Sequence, residues 1–515
     1  MHCHGRFGGI SAGAFTTLFG TALLGLTARP AAPQGTRPGA QEIARAVDSL
    51  AARAVAGGIV PGLGVAVVMD GRTIFLKSYG FADATNRVPA AENTLWYLAS
   101  TSKSYTGFGV SLLAHQKVID LNAPITELLP DATWPAQIDA SHITLAQFLS
   151  HTHHVNGSVF VQNATSTGIV PERDWARLLE YVTPMANQDL VYSNFGYNIA
   201  AMVIDRKRPE GWRRYLENAV YTPAGMTETF AYLTGLDRRR IALPHTLNAD
   251  AGFTTDKFEK TDATMNSAGG HVATLRDLAR WTIVQMDGGR IDGKQVFPAE
   301  AIELSHRLIA RHTVESSKRF GPFAREGWGA GWDLGSYSGE PMVSRFGSFS
   351  ATRSHLSMLP GRHIGVVAQV NGGATNVVDI IASFVYDLEA GRPNARSSAT
   401  ERLESIVSAL PAARRNVAAG DSTRRSRQRP LKHSLAAYAG SYDNRGWGTL
   451  ALRVENGALR FRWGVLEGPT EVYDADKDQL RFEVAGNGQV MTFRFDGAES
   501  AKAVDIGGGV TFTRR

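Results

Sequence analysis

Two strand–turn–strand patterns at opposite ends of the first three quarters of the chain limit its fold more than any other feature. Val65 to Met69 and Thr73 to Ser78 are apolar runs separated by Asp70-Gly71, a strong two-residue hairpin signal. Far downstream, Ser354 to Met358 and Ile364 to Val370 form a second pair, joined by Pro360-Gly361-Arg362. A helix is predicted over 41–56, where Ile43, Val47, Leu50 and Ala54 recur at helical spacing before Pro61-Gly62 stops the pattern. Helical spacing also follows Ser100 through Phe108, Val110, Leu112 and Leu113, and recurs at 144–150, 195–206, 273–287 and 298–310. Strands at both ends with helices between them predict an α/β domain whose two ends share one sheet.

The character then changes. Residues 391–432 carry Gly391-Arg392-Pro393, Ser397-Ser398 and Ala418-Ala419-Gly420, and are expected to be a linker with one helix at 400–409. From 433 to 515 short alternating segments recur: Leu450 to Val454, Leu459 to Trp463, Leu480 to Val484, Met491 to Phe495 and Val510 to Thr513. Asn456-Gly457 separates the first two, so this part reads as an all-β module of barrel or sandwich type. At 515 residues the chain is long enough for a large catalytic domain, placed at 40–390, together with this second module.

The formal net charge of +6 suggests an acidic partner until its distribution is considered. Arg424, Arg425, Arg427, Arg429 and Lys432 crowd into one segment, which fits a solvated tether better than a nucleic-acid face. Residues 1–28 have the pattern of an export signal: Arg6, then a weakly apolar stretch from Gly8 to Ala28, then Arg29-Pro30. A retained membrane anchor is the alternative, because the stretch approaches spanning length. Its glycines favour cleavage, predicting an exported protein, periplasmic or secreted, with no stable membrane insertion. Cys3, the only cysteine, lies in that segment. The remainder has no thiol for a disulfide, a nucleophile, an iron–sulfur cluster or a zinc-thiolate site. No cofactor or metal is expected.

Ser100-Thr101-Ser102-Lys103 places a hydroxyl and an amine three residues apart, on one face if a helix starts at the serine. Desolvation can lower a lysine's pKa until it accepts the serine proton. The pair is a weak signal alone, since a chain of this size yields roughly one such match by chance. Ser102, adjacent to Lys103, is expected to face away. Tyr192-Ser193-Asn194 adds a phenol that can relay protons and an amide that can bind a substrate's acyl amide. Tyr442-Asp443-Asn444 repeats the pattern in the β module but has no nucleophile nearby, and is treated as a decoy.

With these residues in place, the chain resembles the class C β-lactamase, DD-peptidase and esterase-like serine hydrolases over roughly 40–390. The resembling blocks occur in the family's order. They are Pro61-Gly-Leu-Gly-Val-Ala-Val-Val-Met-Asp-Gly, Leu98-Ala-Ser-Thr-Ser-Lys-Ser, Ile143-Thr-Leu-Ala-Gln-Phe-Leu-Ser-His-Thr and Tyr192-Ser-Asn. Ser267-Ala-Gly-Gly-His and Trp328-Gly-Ala-Gly-Trp complete them. The resemblance implies a β-lactamase/transpeptidase-like α/β fold, an antiparallel sheet flanked by helices plus a helical subdomain. It also implies Ser100 as nucleophile with Lys103 and Tyr192 as proton-transfer groups, and Asn194 as a substrate contact. The third family motif, Lys/His-x-Gly, matches Arg345-Phe346-Gly347-Ser348. By resemblance, the backbone N–H of Ser348 joins that of Ser100 in an oxyanion hole, while Gly347 lets substrate approach. Arg345 departs from the family pattern, as does Ala351-Thr352 where Gly-Phe is common, and both leave the substrate class open. If Arg345 faces the cleft, its fork of donors suits a substrate carboxylate; the alternative is that it pairs with a structural acid. Tyr438-Ala-Gly-Ser-Tyr and Thr511-Phe-Thr-Arg resemble the lipocalin-like domains appended to some family members.

His151-Thr152-His153-His154 invites a metal reading, but adjacent histidines rarely converge on one ion. A helix-end turn packed beneath the active site is the simpler expectation. Gly329, Gly331 and Gly335 lack the crossover helix and later acid of a dinucleotide site. The expected function is hydrolysis of an amide or peptide bond, in a small or non-standard peptide or a β-lactam, through an acyl-enzyme. A carboxylesterase with the same machinery and a non-catalytic penicillin-binding-type sensor are the alternatives. A small-molecule or peptide substrate is the expected partner, and the oligomeric state is left open.

Overall fold

The computed structural model describes residues 38–185, 190–250, 252–256, 259–313, 322–484 and 487–515. The expected signal at 1–28 lies outside these residues. A nine-stranded sheet forms the frame of the first domain. Its central order is Asp333–Tyr337, Glu340–Phe349, Thr352–Leu359, Ile364–Val370, Gly62–Met69 and Arg72–Asp83. Leu63 pairs with Val370 and Met69 with Ile364, so the two hairpins seen in the sequence do sit side by side. Asp70 and Gly71 have φ of 49° and 70°, the doubly left-handed turn that matches the twist of a hairpin.

Alternation along Gly62–Met69 divides the core into two layers. Leu63, Val65 and Val67 pack with the helices Ala40–Ala56 and Val377–Glu389. Ala66 and Val68 face the opposite layer, which holds Lys103–His115, Phe195–Lys207 and Leu275–Met286. The helix ends are set by local chemistry. Thr144 and Gln147 form a reciprocal capping box on Leu145–Leu149, and the Thr274 side chain accepts from the Asp277 N–H.

The expected linker is different in kind. Ala395–Ser426 is one helix of 32 residues, and Ser397-Ser398 and Ala418-Ala419-Gly420 lie inside it. Ala399 and Leu403 are buried, and Val407 and Leu410 pack beside them against the layer containing Ala40–Ala56. Their helical spacing gives the segment an apolar stripe, which outweighs its local breakers. Arg53–Glu404 at 2.7 Å and Arg396–Glu42 at 2.9 Å flank the contact.

Residues 440–514 form a nearly closed barrel of nine antiparallel strands with its own apolar interior, including Tyr442, Leu450, Phe461, Trp463, Phe482, Met491 and Phe512. Asn456-Gly457 is again a doubly left-handed turn, with φ of 51° and 74°. The barrel rests on the first domain through Val465, whose N–H donates to Thr167 O at 2.8 Å.

Candidate active site

The turn that carries Ser100, the candidate nucleophile, begins with a sharp bend. Ala99 has φ of 45°, a left-handed conformation that costs an alanine energy and is held by the surrounding structure. A 3-10 turn over Ala99–Ser102 then leads into the helix Lys103–His115, so Ser100 lies one turn before the helix and Lys103 at its start. The helix N-terminus adds partial positive charge beside Ser100.

Two groups converge on the serine hydroxyl. Tyr192 Oη is 2.6 Å from Ser100 Oγ, and Lys103 Nζ is 3.2 Å from the same atom. Lys103 is fully buried and donates also to Asn194 Oδ1 at 2.6 Å and Ala268 O at 2.7 Å. Burial, reinforced by the nearby Arg345 charge and only partly opposed by Asp333, holds its pKa well below the usual lysine range. The amine is thus biased toward the neutral form a base requires. Tyr192 is 45% exposed.

Arg345 reaches this cluster from the strand Glu340–Phe349, but not as a fork open to substrate. Its side chain is 2% exposed. Nε donates to Ser100 O at 2.9 Å, Nη1 to Asp333 Oδ2 at 2.9 Å and Nη2 to Tyr192 Oη at 3.0 Å. The guanidinium lies 4.7 Å from the Trp328 ring centroid. Tyr192 and Asp333 raise its pKa despite the opposing effect of burial. The expectation of a carboxylate-binding Arg345 is therefore replaced: it pairs with a structural acid and simultaneously contacts the tyrosine.

Gly347 stands where a side chain has no room. A Cβ there would lie 2.1 Å from Leu98 O and 2.9 Å from the backbone nitrogens of Ser100 and Thr101. The strand and the nucleophile turn thus meet backbone to backbone. The neighbouring strand Asp333–Tyr337 pairs only as far as Ser344, so the edge from Arg345 onward runs beside the nucleophile turn. Exposed Ser348 is on that stretch. Asn194 is brought in by Lys103, which occupies its Oδ1 and leaves its amide nitrogen as the end suited to a substrate carbonyl.

The remaining candidates make no hydrogen bond to Ser100 Oγ. Tyr442 is buried in the barrel, donates to Tyr438 O at 2.7 Å and accepts from Arg514. Ser102 is buried, with no partner for its hydroxyl among the described residues. His151 and His153 lie in the turn after Leu145–Leu149; His153 stacks on Phe148 and accepts from Val155 N–H, and burial pulls its pKa down to about 3. Among the described residues no group of three or more histidine, cysteine, aspartate or glutamate side chains is placed to hold a metal ion. Asp333 and the carbonyl of Ala268 have roles that motif matching did not assign. Both lie within or next to quoted blocks: Asp333 follows Trp332, and Ala268 opens Ala-Gly-Gly.

Residues 47–389 match the Beta-lactamase family. The chain is 25% identical over 339 residues to "Penicillin-binding protein 4" of Amycolatopsis lactamdurans, covering 64% of this chain and 84% of that one. In fold it is similar to the octameric penicillin-binding protein homologue from Pyrococcus abyssi, with a TM-score of 0.57 and 15% identity over 91% of this chain and 99% of the other. The D-amino acid amidase from Ochrobactrum anthropi SV3 gives 0.55 and 20%, covering 70% of this chain and 99% of its own. With the family match spanning most of the chain and the Ser100–Lys103–Tyr192 cluster inside it, the protein belongs to the beta-lactamase family of serine hydrolases.

Proposed function

We propose that the protein hydrolyses amide bonds in small or non-standard peptides, or in β-lactams, through an acyl-enzyme on Ser100. The supporting observation is the placement of Ser100 Oγ between Tyr192 Oη at 2.6 Å and the buried Lys103 Nζ at 3.2 Å. Neutral Lys103, acting with Tyr192, takes the serine proton as Oγ attacks the carbonyl. The developing oxyanion is received by the N–H groups of Ser100 and Ser348. Tyr192 returns the proton to the leaving nitrogen, and water then repeats the sequence to release the acid. Arg345 Nη2 donates to Tyr192 Oη, so its positive charge stabilises negative charge that develops there.

Ester hydrolysis is the second reading, and the burial of Arg345 favours it. With its guanidinium committed to Ser100 O, Asp333 and Tyr192, Arg345 has no open fork with which to select a peptide carboxylate. Export is proposed alongside, on the pattern of residues 1–28; amino-terminal sequencing of secreted material would test it.

A panel of D- and L-amino-acid amides, p-nitrophenyl esters and a chromogenic cephalosporin separates the two readings. Intact-protein mass spectrometry is expected to show a single fluorophosphonate adduct on the wild-type protein, and Ser100→Ala is expected to remove both that adduct and all turnover. Undiminished hydrolysis in that variant would end the serine-hydrolase proposal.

A further inference from the structure

Tyr192 has an unusual support. Residues 190–193 belong to no helix or strand, and the tyrosine side chain is 45% exposed. Neither a hydrogen-bonded ladder nor full packing therefore fixes a hydroxyl that must stay within 2.6 Å of Ser100 Oγ. One residue holds this stretch on both sides of the tyrosine. Val191 N–H donates to His151 O at 3.1 Å, and Ser193 N–H donates to His151 Nδ1 at 3.2 Å. The imidazole packs against the tyrosine ring itself, with centroids 4.7 Å apart.

We infer that His151 is the positioning residue for Tyr192, clamping the backbone on both sides of it so that the phenol stays aimed at Ser100. This rests on the proposed role of Tyr192 as proton relay.

His151 is itself held firmly. It is buried, has φ of 63°, and meets Trp328 edge to face at 4.5 Å and 81°. Trp328 lies in turn 4.7 Å from the Arg345 guanidinium, which donates to the same Tyr192 hydroxyl. Because Nδ1 accepts from Ser193, the ring proton resides on Nε2. Burial first, then the charges of Lys103 and Arg345, push the imidazole pKa well down, so the ring remains a neutral acceptor. That state suits a structural clamp and gives no reason to assign His151 a proton-transfer step. No polar partner reaches Nε2 among the described residues.

The test uses three substitutions in the full chain. Asparagine places an amide oxygen near the position of Nδ1 and tolerates left-handed backbone. Glutamine places it near Nε2 instead, and leucine removes the acceptor. The readout is the rate of fluorophosphonate labelling of Ser100, together with kcat and KM on a p-nitrophenyl ester. His151→Asn is expected within about threefold of wild type, whereas His151→Gln and His151→Leu lose roughly ten- to a hundredfold in labelling rate and kcat, the scale of a misplaced catalytic group. KM is expected to change little. In a Tyr192→Phe background the same substitutions should add almost nothing.

Equal rates for the asparagine and glutamine variants, or the full loss repeated in the Tyr192→Phe background, would overturn the clamp. His151→Gln preserves polarity, so it decides the matter if His151→Leu does not fold. Absence of an adduct in wild type would instead undermine the proposed function, which separates the two failures.

Discussion

Arg345 Nη2 lies 3.0 Å from Tyr192 Oη, and the opposite nitrogen of the same guanidinium lies 2.9 Å from Asp333. One rigid fork thus links a buried carboxylate to the Tyr192 phenol. Because both ends of the fork are occupied inside the protein, Arg345 should influence chemistry rather than choice of substrate.

Arg345→Lys keeps a charge but cannot span Asp333, Ser100 O and Tyr192 together. It should lower kcat/KM about ten- to a hundredfold on a carboxylate-bearing peptide and by the same factor on its uncharged amide. A loss confined to the charged substrate would restore a direct carboxylate contact. Arg345→Ala should also destabilise the fold, by about 3–5 kcal/mol for a buried ion pair broken on one side.

Lys103→Ala and Tyr192→Phe should each reduce kcat by about two to four orders of magnitude. Since both contact Ser100 Oγ, the double variant should be little worse than either alone. Multiplicative losses in steady-state kinetics would show two independent roles. Tyr442→Phe, changed inside the barrel, should leave kcat intact.

A second buried lysine gives a pH signature in stability. Lys260 is buried, donates to Thr165 O at 2.7 Å, and has its pKa pushed down to about 7 by burial. Between that value and the unfolded value near 10.5, the unfolded chain binds a proton that the native protein does not. Stability should therefore rise with pH across this window, by up to about 1.4 kcal/mol per unit, and be flat with respect to this group below it. Lys260→Met loses the hydrogen bonds to Thr165 O and Thr264 O at every pH, so the slope rather than the midpoint is diagnostic. Denaturation curves from pH 7 to 10 should be flatter for the variant, and an unchanged slope would contradict the shift.

Ending the chain near 432 should leave a folded catalytic domain, because the barrel has its own apolar interior. Its contact with Thr167 would be lost, so a lower Tm and altered preference among large substrates are expected. Activity on a small p-nitrophenyl ester should survive. A truncated protein inert toward that ester would place the barrel in the catalytic fold.

Much of the architecture was legible because it rests on short-range signals. Asp70-Gly71 and Asn456-Gly457 mark their turns through residues that tolerate left-handed backbone, and both turns form. The alternation of 450–454 and 459–463 predicts paired strands, and Leu450 pairs with Trp463. The same local evidence misjudged 391–432: Gly, Ser and Pro suggested a linker, while Ala399, Leu403, Val407 and Leu410 gain their stabilisation only against a distant helix.

The active site divides in the same way. Sequence alone determined that Ser100 and Lys103 share one turn and that Tyr192-Ser193-Asn194 is the matching motif, because covalent spacing and motif order carry that information. Tertiary structure decided the direction of Arg345, the service of Asp333 and Ala268 O, and the seating of His151 against Tyr192. Those contacts join segments far apart in the chain, and their side-chain directions follow from packing and charge burial, which no local pattern encodes.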